Sequence, residues 1–241
     1  MKYLGNLNFD WFETLLTFSG TTLPLIRKDV RAIKDDCISK NNGLTPEEIS
    51  HAVSKELIGK CTIKAAGAGG ITSLPATIPG IGTIGTIILG ATADITYIIK
   101  LHLELCYSIA AAYDVIMEEE ELRAVSLAIL GFTGSSQALK GVSAGALRKS
   151  VDEIAQAYLK KGLGKSSAEV AERMLPRLLK KTYKFLPFLG IPIGASINAV
   201  STFMVGQRAV RYFGKWHESP EDEEIIECRV VDMHRYNCDE T

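Results

Sequence analysis

From residue 65 to residue 93 the chain carries no charged side chain, and this stretch restricts the possible folds more than any other feature. A segment so apolar has to leave water, either inside a helical core or in lipid. Its first part is crowded with helix breakers: Gly67, Gly69, Gly70, Pro75, Pro79, Gly80, Gly82 and Gly85. That density argues against one straight helix before about Pro79. Beyond Gly85 the residues are helix formers without proline, which predicts a long helix from about Ile81 to Tyr113, apolar nearly all round in its first half.

A shorter run, Phe185 to Gln207, follows the same order. Pro187, Gly190, Pro192 and Gly194 lead into a helix expected to end near Phe213. Aligning Pro79 with Pro187 sets Gly82 against Gly190 and Asp94 against Thr202, a faint internal echo without a fixed short period. Small residues at both helix starts allow two axes to approach closely. Asp94 is the residue whose position has a cost. A carboxylate among Ala91, Thr92, Ala93 and Ile95 must be paired, hydrogen-bonded or protonated if it is buried. Asn198, Ser201, Thr202, Val205 and Arg208 fall along roughly one face of the second helix and are its natural partners. Such a cluster is either a structural clasp or an ion, proton or ligand site at a helix crossing.

The segments around these two runs are also helical. Residues 8–18 and 24–40 have apolar positions at helical spacing, and Asn42-Gly43 closes the second of these helices. Thr45-Pro46-Glu47-Glu48 is a start signal, with Thr45 as cap, Pro46 in the first turn and Glu48 at the capping-box position; this helix is expected to reach about Lys64. Glu118 to Leu130 opens on an acidic turn that complements the helix dipole, a break follows at 131–136, and Gln137 to Leu159 resumes. From Ala168 to Leu186, Val170, Met174, Leu175, Leu178 and Leu179 oppose Arg173, Arg177, Lys180, Lys181 and Lys184, with Pro176 as a kink or first-turn residue. A basic amphipathic helix leading into an apolar segment suits an anionic membrane surface, and it also suits an ordinary solvated face. The tail from His217 is acidic (Glu221, Asp222, Glu223, Glu224, Glu227) and reads as a solubilising or interaction terminus.

Several function classes receive no support. Apolar residues make up 46% and the net charge is −1, so the composition is that of a folded chain with no global attraction to nucleic acid. Asp10 and Glu13 interrupt the place where a secretory signal would be apolar, and five irregularly spaced cysteines do not form a disulfide framework; the expected location is the cytoplasm or the cytoplasmic face of the inner membrane. Cys228, His234 and Cys238 lack the CxxC pair and fourth ligand of a zinc site, and no cofactor is expected. Gly162-Leu-Gly164-Lys165-Ser166 imitates the end of a phosphate-binding loop. Leu159 stands where that loop needs glycine, however, and the preceding residues look helical rather than extended. The segment reads as a basic loop in which Ser166 or Ser167 caps the next helix. None of His51, His102, His217 or His234 sits in a nucleophile or zinc motif, and there is no GxSxG.

Two signatures suggest a family. Gly70-Ile-Thr-Ser-Leu-Pro75, Ile78-Pro-Gly-Ile-Gly, Ala93-Asp94 and the helix through Glu104 to Ala110 resemble the EcsC protein family. Leu186-Pro-Phe-Leu-Gly-Ile-Pro-Ile-Gly194, Ile197 to Thr202 and Val205 to Phe213 look like its C-terminal signature, which has a relative in YcjF-like inner-membrane proteins and in domains attached to some GTPases. The resemblance spans roughly Thr45 to Phe213. It implies an α-helical bacterial protein, cytoplasmic or membrane-associated, of a family named for an operon encoding an ABC transporter. It brings no catalytic residues with it.

Together these readings predict an all-α helical bundle around two Gly/Pro-led apolar helices. N-terminal helices would occupy 1–44, the EcsC-like domain 45–216 and the acidic tail 217–241. The leading expectation is a non-enzymatic protein associated with a membrane or anionic lipid surface, acting with a membrane-protein partner in transport or envelope stress. A soluble module enclosing a lipid or other apolar ligand is the alternative, and an unrecognised hydrolase comes third.

Overall fold

The computed structural model describes residues 22–41, 43–72, 84–131, 143–166, 169–170 and 190–216, and within these spans the side chains other than those of 69–72, 84–96 and 190–195. Six helices cover most of the described residues: α1 (Leu23–Lys40), α2 (Pro46–Thr72), α3 (Ile84–Ala112), α4 (Glu119–Gly131), α5 (Ala144–Lys161) and α6 (Gly190–Phe213). No strand occurs among the described residues, and the protein is all-α.

Local chemistry fixes the helix ends. At the start of α2 the Thr45 amide donates to Glu48 Oε2 at 2.8 Å while the Glu48 amide donates to Thr45 Oγ1 at 3.3 Å, the reciprocal capping box. Ser143 caps α5 by accepting from the Ala146 amide at 3.1 Å. At the end of α3 the Asp114 amide donates to the Ala111 carbonyl and the Val115 amide to the Ala110 carbonyl, with Asp114 at φ 52. This is a Schellman closure in which aspartate takes the left-handed position usually given to glycine. Its carboxylate then accepts from Lys34 of α1 at 2.7 Å, tying α1 to the α3–α4 turn.

The centre of the bundle is α2, α3 and α6, with α1 against α2 and α3, and the α4–α5 pair against α3 and α6. Ile58 of α2 lies against Gly206 of α6, and Tyr113, just past the end of α3, lies near Gly214 just beyond α6. Ala65, Ile98 and Leu101 form a cluster with Cys61. These pairings make α3 and α6 parallel and run α2 antiparallel to both. Val53, Leu57, Ile99, Cys106, Ile109, Val205, Ala209 and Phe213 fill the space between them. In α4 every residue from Leu122 to Leu130 except Arg123 is buried, so it is enclosed on nearly all sides.

Two local expectations change. Glycines were expected to stop α2 near Lys64, yet it continues through Gly67, Gly69 and Gly70 to Thr72. Each glycine costs a helix about 1 kcal/mol. No proline intervenes before Pro75, and burial of Ala65 against α3 favours continuation. Similarly, α6 includes Pro192 and Gly194 instead of starting after them. Pro192 is the third residue of the helix, where its missing N–H has no intrahelical acceptor to lose. The helix at 8–18, the basic helix from Ala168 with Arg173, Arg177, Lys180, Lys181 and Lys184, and the acidic tail lie outside the described residues.

A network that binds α5 to α6 had no sequence signal. Tyr212 donates its hydroxyl to Asp152, and Arg148 donates to the Lys215 carbonyl at 3.0 Å while stacking over Trp216 at 5.3 Å. The ring of Trp216 in turn lies 6.4 Å from that of Tyr212.

The contact at Gly206 generates a test. A Cβ built there would stand 2.5 Å from Ile58 Cγ1, too close for any real pair. G206A is therefore expected to destabilise the protein by about 1–3 kcal/mol despite alanine's better helix propensity. The double variant I58A/G206A should lose less than the sum of the two single changes in urea unfolding. Additive losses would mean that the two residues do not meet.

Candidate functional site

The polar residues of the α3–α6 contact gather around His102. This histidine sits in the middle of α3 between Leu101 and Leu103 and is completely buried. Its Nε2 is 3.0 Å from Thr202 Oγ1, and the Thr202 hydroxyl is 2.8 Å from the Asn198 carbonyl one turn earlier in α6. Thr202 Oγ1 and His102 Nε2 share one hydrogen bond, whose direction follows the imidazole tautomer, and Nδ1 points elsewhere. No group accepts or donates there: Nδ1 is buried without a hydrogen-bond partner.

Arg208 completes the cluster. It is 5% exposed, and its Nε is buried without a partner. No carboxylate among the described residues forms an ion pair with it. Its backbone lies about 9 Å beyond Thr202 along α6, and helical side chains lean toward the N-terminus, which returns the guanidinium toward His102. The charge bears on both neighbours. Burial, with the Arg208 charge as the smaller cause, pushes His102 down to about 3. Burial pushes the Cys106 thiol up to about 12, against opposing pulls from Ser126 and, less, from Arg208. Desolvation lowers Arg208 itself.

Of the residues singled out from sequence, Asn198, Thr202 and Arg208 are buried in this layer. Ser201 is half-buried and donates its hydroxyl to the Asn198 carbonyl at 3.0 Å. Asp94 belongs to α3 two turns before His102, and its side chain lies outside the described ones. The group that the structure sets against Thr202 is His102, which sequence reasoning passed over for want of a motif. Its signal was the same as that of Asp94: a titratable side chain inside an apolar helical run, Leu101-His102-Leu103-Glu104-Leu105. No group of three or more His, Cys, Asp or Glu suited to a metal occurs among the described residues. The Gly162–Ser166 segment follows helix α5, not a strand, and the buried Ser166 hydroxyl lies 3.0 Å from the Gly162 carbonyl and 3.2 Å from that of Tyr158. Ser166 is thus committed to closing a turn.

The buried imidazole carries a pH signature. Folded His102 stays neutral well below the usual histidine range, whereas the unfolded chain binds its proton from about pH 6.5 downward. The unfolded state holds more protons in that window, so stability falls as pH falls, by about 1.4 kcal/mol per pH unit for this group. The stability advantage of wild type over H102Q should accordingly shrink between about pH 6.5 and about pH 4.5 in urea titrations. A constant difference would show that folded His102 titrates normally.

No curated protein and no solved structure matches the chain. The EcsC protein family matches residues 36–215, which takes in all of α2 to α6, the His102–Thr202 contact and Arg208. The chain belongs to the EcsC protein family.

Proposed function

We propose that the protein is a non-enzymatic, peripheral membrane protein that lays one end of its central three-helix unit on a lipid surface. The observation that carries this reading is the position of its exposed large apolar side chains. Ile63 of α2 is 75% exposed, Tyr97 of α3 41%, and Val200 and Phe203 of α6 57% and 50%. The pairings of Ile58 with Gly206, Cys61 with Leu101, and His102 with Thr202 put these four at nearly one level of the bundle. This level lies within the helices, nine residues before the end of α2, thirteen after the start of α3 and ten after the start of α6, and leads on to the end at which α2 finishes and α3 and α6 begin. The chain beyond it is uncharged from residue 65 to residue 93, and Phe185-Leu-Pro-Phe-Leu189 leads into α6.

Among the described residues no helix is long and apolar enough to cross a membrane, which favours lying in the interface over spanning it. Arg173, Arg177, Lys180, Lys181 and Lys184 precede α6 in the sequence and suit anionic headgroups. Chemistry at the buried cluster has little to recommend it: a thiol held protonated beside an imidazole without solvent is a poor nucleophile–base pair at neutral pH. A membrane-protein partner in transport or envelope stress, and a bacterial cytoplasmic location, are parts of the same proposal that rest on the family resemblance.

Vesicle flotation tests it. The full chain should float with vesicles containing phosphatidylglycerol and less with pure phosphatidylcholine. V200S/F203S, which alters two exposed positions and should leave helicity intact, is expected to lower the bound fraction about tenfold. Wild type remaining at the bottom with both vesicles, or a double variant floating like wild type, would overturn the reading.

A further inference from the structure

Each of the three central helices packs against the other two, so α2, α3 and α6 form a triangle, and no flat surface laid along their sides touches more than two of them. The exposed apolar side chains at one level nevertheless come from all three: Ile63 from α2, Tyr97 from α3, Val200 and Phe203 from α6. A lipid surface that covers every one of them has to be met end on.

Charge along the helices has the same sense. Approached from the end where α2 finishes and α3 begins, both helices present lysine before glutamate. In α2 these are Lys64 and then Lys60, whose ion-pair partner Glu56 lies one turn further from that end; in α3 Lys100 comes first and its partner Glu104 lies one turn further. Lys64 is exposed beside Ile63 and forms no ion pair with another described residue. Nearer the end than these lysines, α2 has no charged residue, α6 has none before Arg208, and α3 has Asp94 alone. A lysine that borders apolar surface keeps its stem against that surface and extends its ammonium to water or phosphate.

The lengths fit one leaflet. Helix α2 continues through residues 65–72 beyond Lys64, and α6 runs through residues 190–199 before Val200, about 12 and about 15 Å at the helical rise. Half the hydrocarbon core of a bilayer is about 15 Å thick. We infer that this end of the central unit enters a bilayer upright, to the depth of one leaflet, with Lys64, Lys60 and Lys100 at the phosphates of anionic phospholipids. The inference rests on the membrane association proposed above and adds its orientation, its depth and the groups that select the lipid.

An environment-sensitive fluorescent amino acid placed singly at Ile63, Tyr97 or Phe203 of the full chain reads the orientation on phosphatidylglycerol vesicles whose acyl chains carry a quencher. All three positions are expected to be quenched. A probe at Gly67, where a side chain meets nothing within 4 Å, should be quenched more strongly, and one at the exposed Ile116 beyond the opposite end of α3 not at all. Quenching on two helices but not the third would lay the bundle on its side and overturn the inference while leaving the membrane reading intact; wild type that does not float removes both. K64E should weaken binding to phosphatidylglycerol vesicles about tenfold and leave binding to phosphatidylcholine as it was. K55E makes the same change at an exposed site about 13 Å further from the end on α2 and should bind like wild type. Equal losses in K64E and K55E would show that net charge selects the lipid, which overturns the role given to the lysines.

Discussion

The central helices can approach one another closely because α6 has no side chain at Gly206. Ile58 of α2 occupies the space a Cβ would need, and the register of the bundle follows from that contact. With Ile58 fixed against Gly206, the C-terminal half of α2 reaches the level of Ile98 and Leu101, and Thr202 comes opposite His102. Cores transmit such constraints because they are packed like solids. A shift of α6 by one residue would rotate Thr202 away from His102 by about 100° and leave a buried imidazole without its partner.

That dependence explains how a polar layer persists in so apolar a core. His102 is kept neutral by desolvation, and its Nε2 shares a hydrogen bond with Thr202, whose hydroxyl also meets the Asn198 carbonyl. What this chain of contacts leaves without partners is Nδ1 of His102, Nδ2 of Asn198 and Nε of Arg208, the last two ten residues apart along α6. The same burial that silences His102 and Cys106 as acid–base groups strengthens any electrostatic contact made there.

Much of the architecture was legible in the sequence because its signals were local. Thr45-Pro46-Glu47-Glu48 specified its capping box without help from the fold, and the long proline-free stretch after Gly85 specified α3. The errors came where tertiary packing outweighed local cost, as at Gly67 to Gly70, where a propensity penalty was read as a helix end. The pairing of Asn198 with Thr202 was legible from spacing, since the two are one helical turn apart on α6. The partner of Thr202 on α3 was not: pairing His102 with Thr202 depends on the relative translation of two helices, which Gly206 and Ile58 set through a third. The Tyr212–Asp152 and Arg148–Trp216 links were invisible for the same reason, each joining residues at least sixty positions apart.

At the level of Thr202, α6 reverses the usual arrangement of a helix in water. Asn198 and Thr202 turn inward and are buried, while Val200 and Phe203, interleaved with them, turn outward and are exposed. A helix packed against a core in water gains by the opposite distribution. Exposing Phe203 forgoes burial worth about 2 kcal/mol, and burying three polar groups without partners adds a further cost. Exposed Val200 and Phe203 and buried Asn198 lie midway along α6, whereas its C-terminal part is ordinary, with Ala209 and Phe213 buried in the main core and Arg211 on the flank. The exposure of Val200 and Phe203 carries no cost where apolar material covers the outer face, as at a phospholipid interface, and the uncharged stretch from residue 65 to residue 93 continues from this level of α2 and leads into α3.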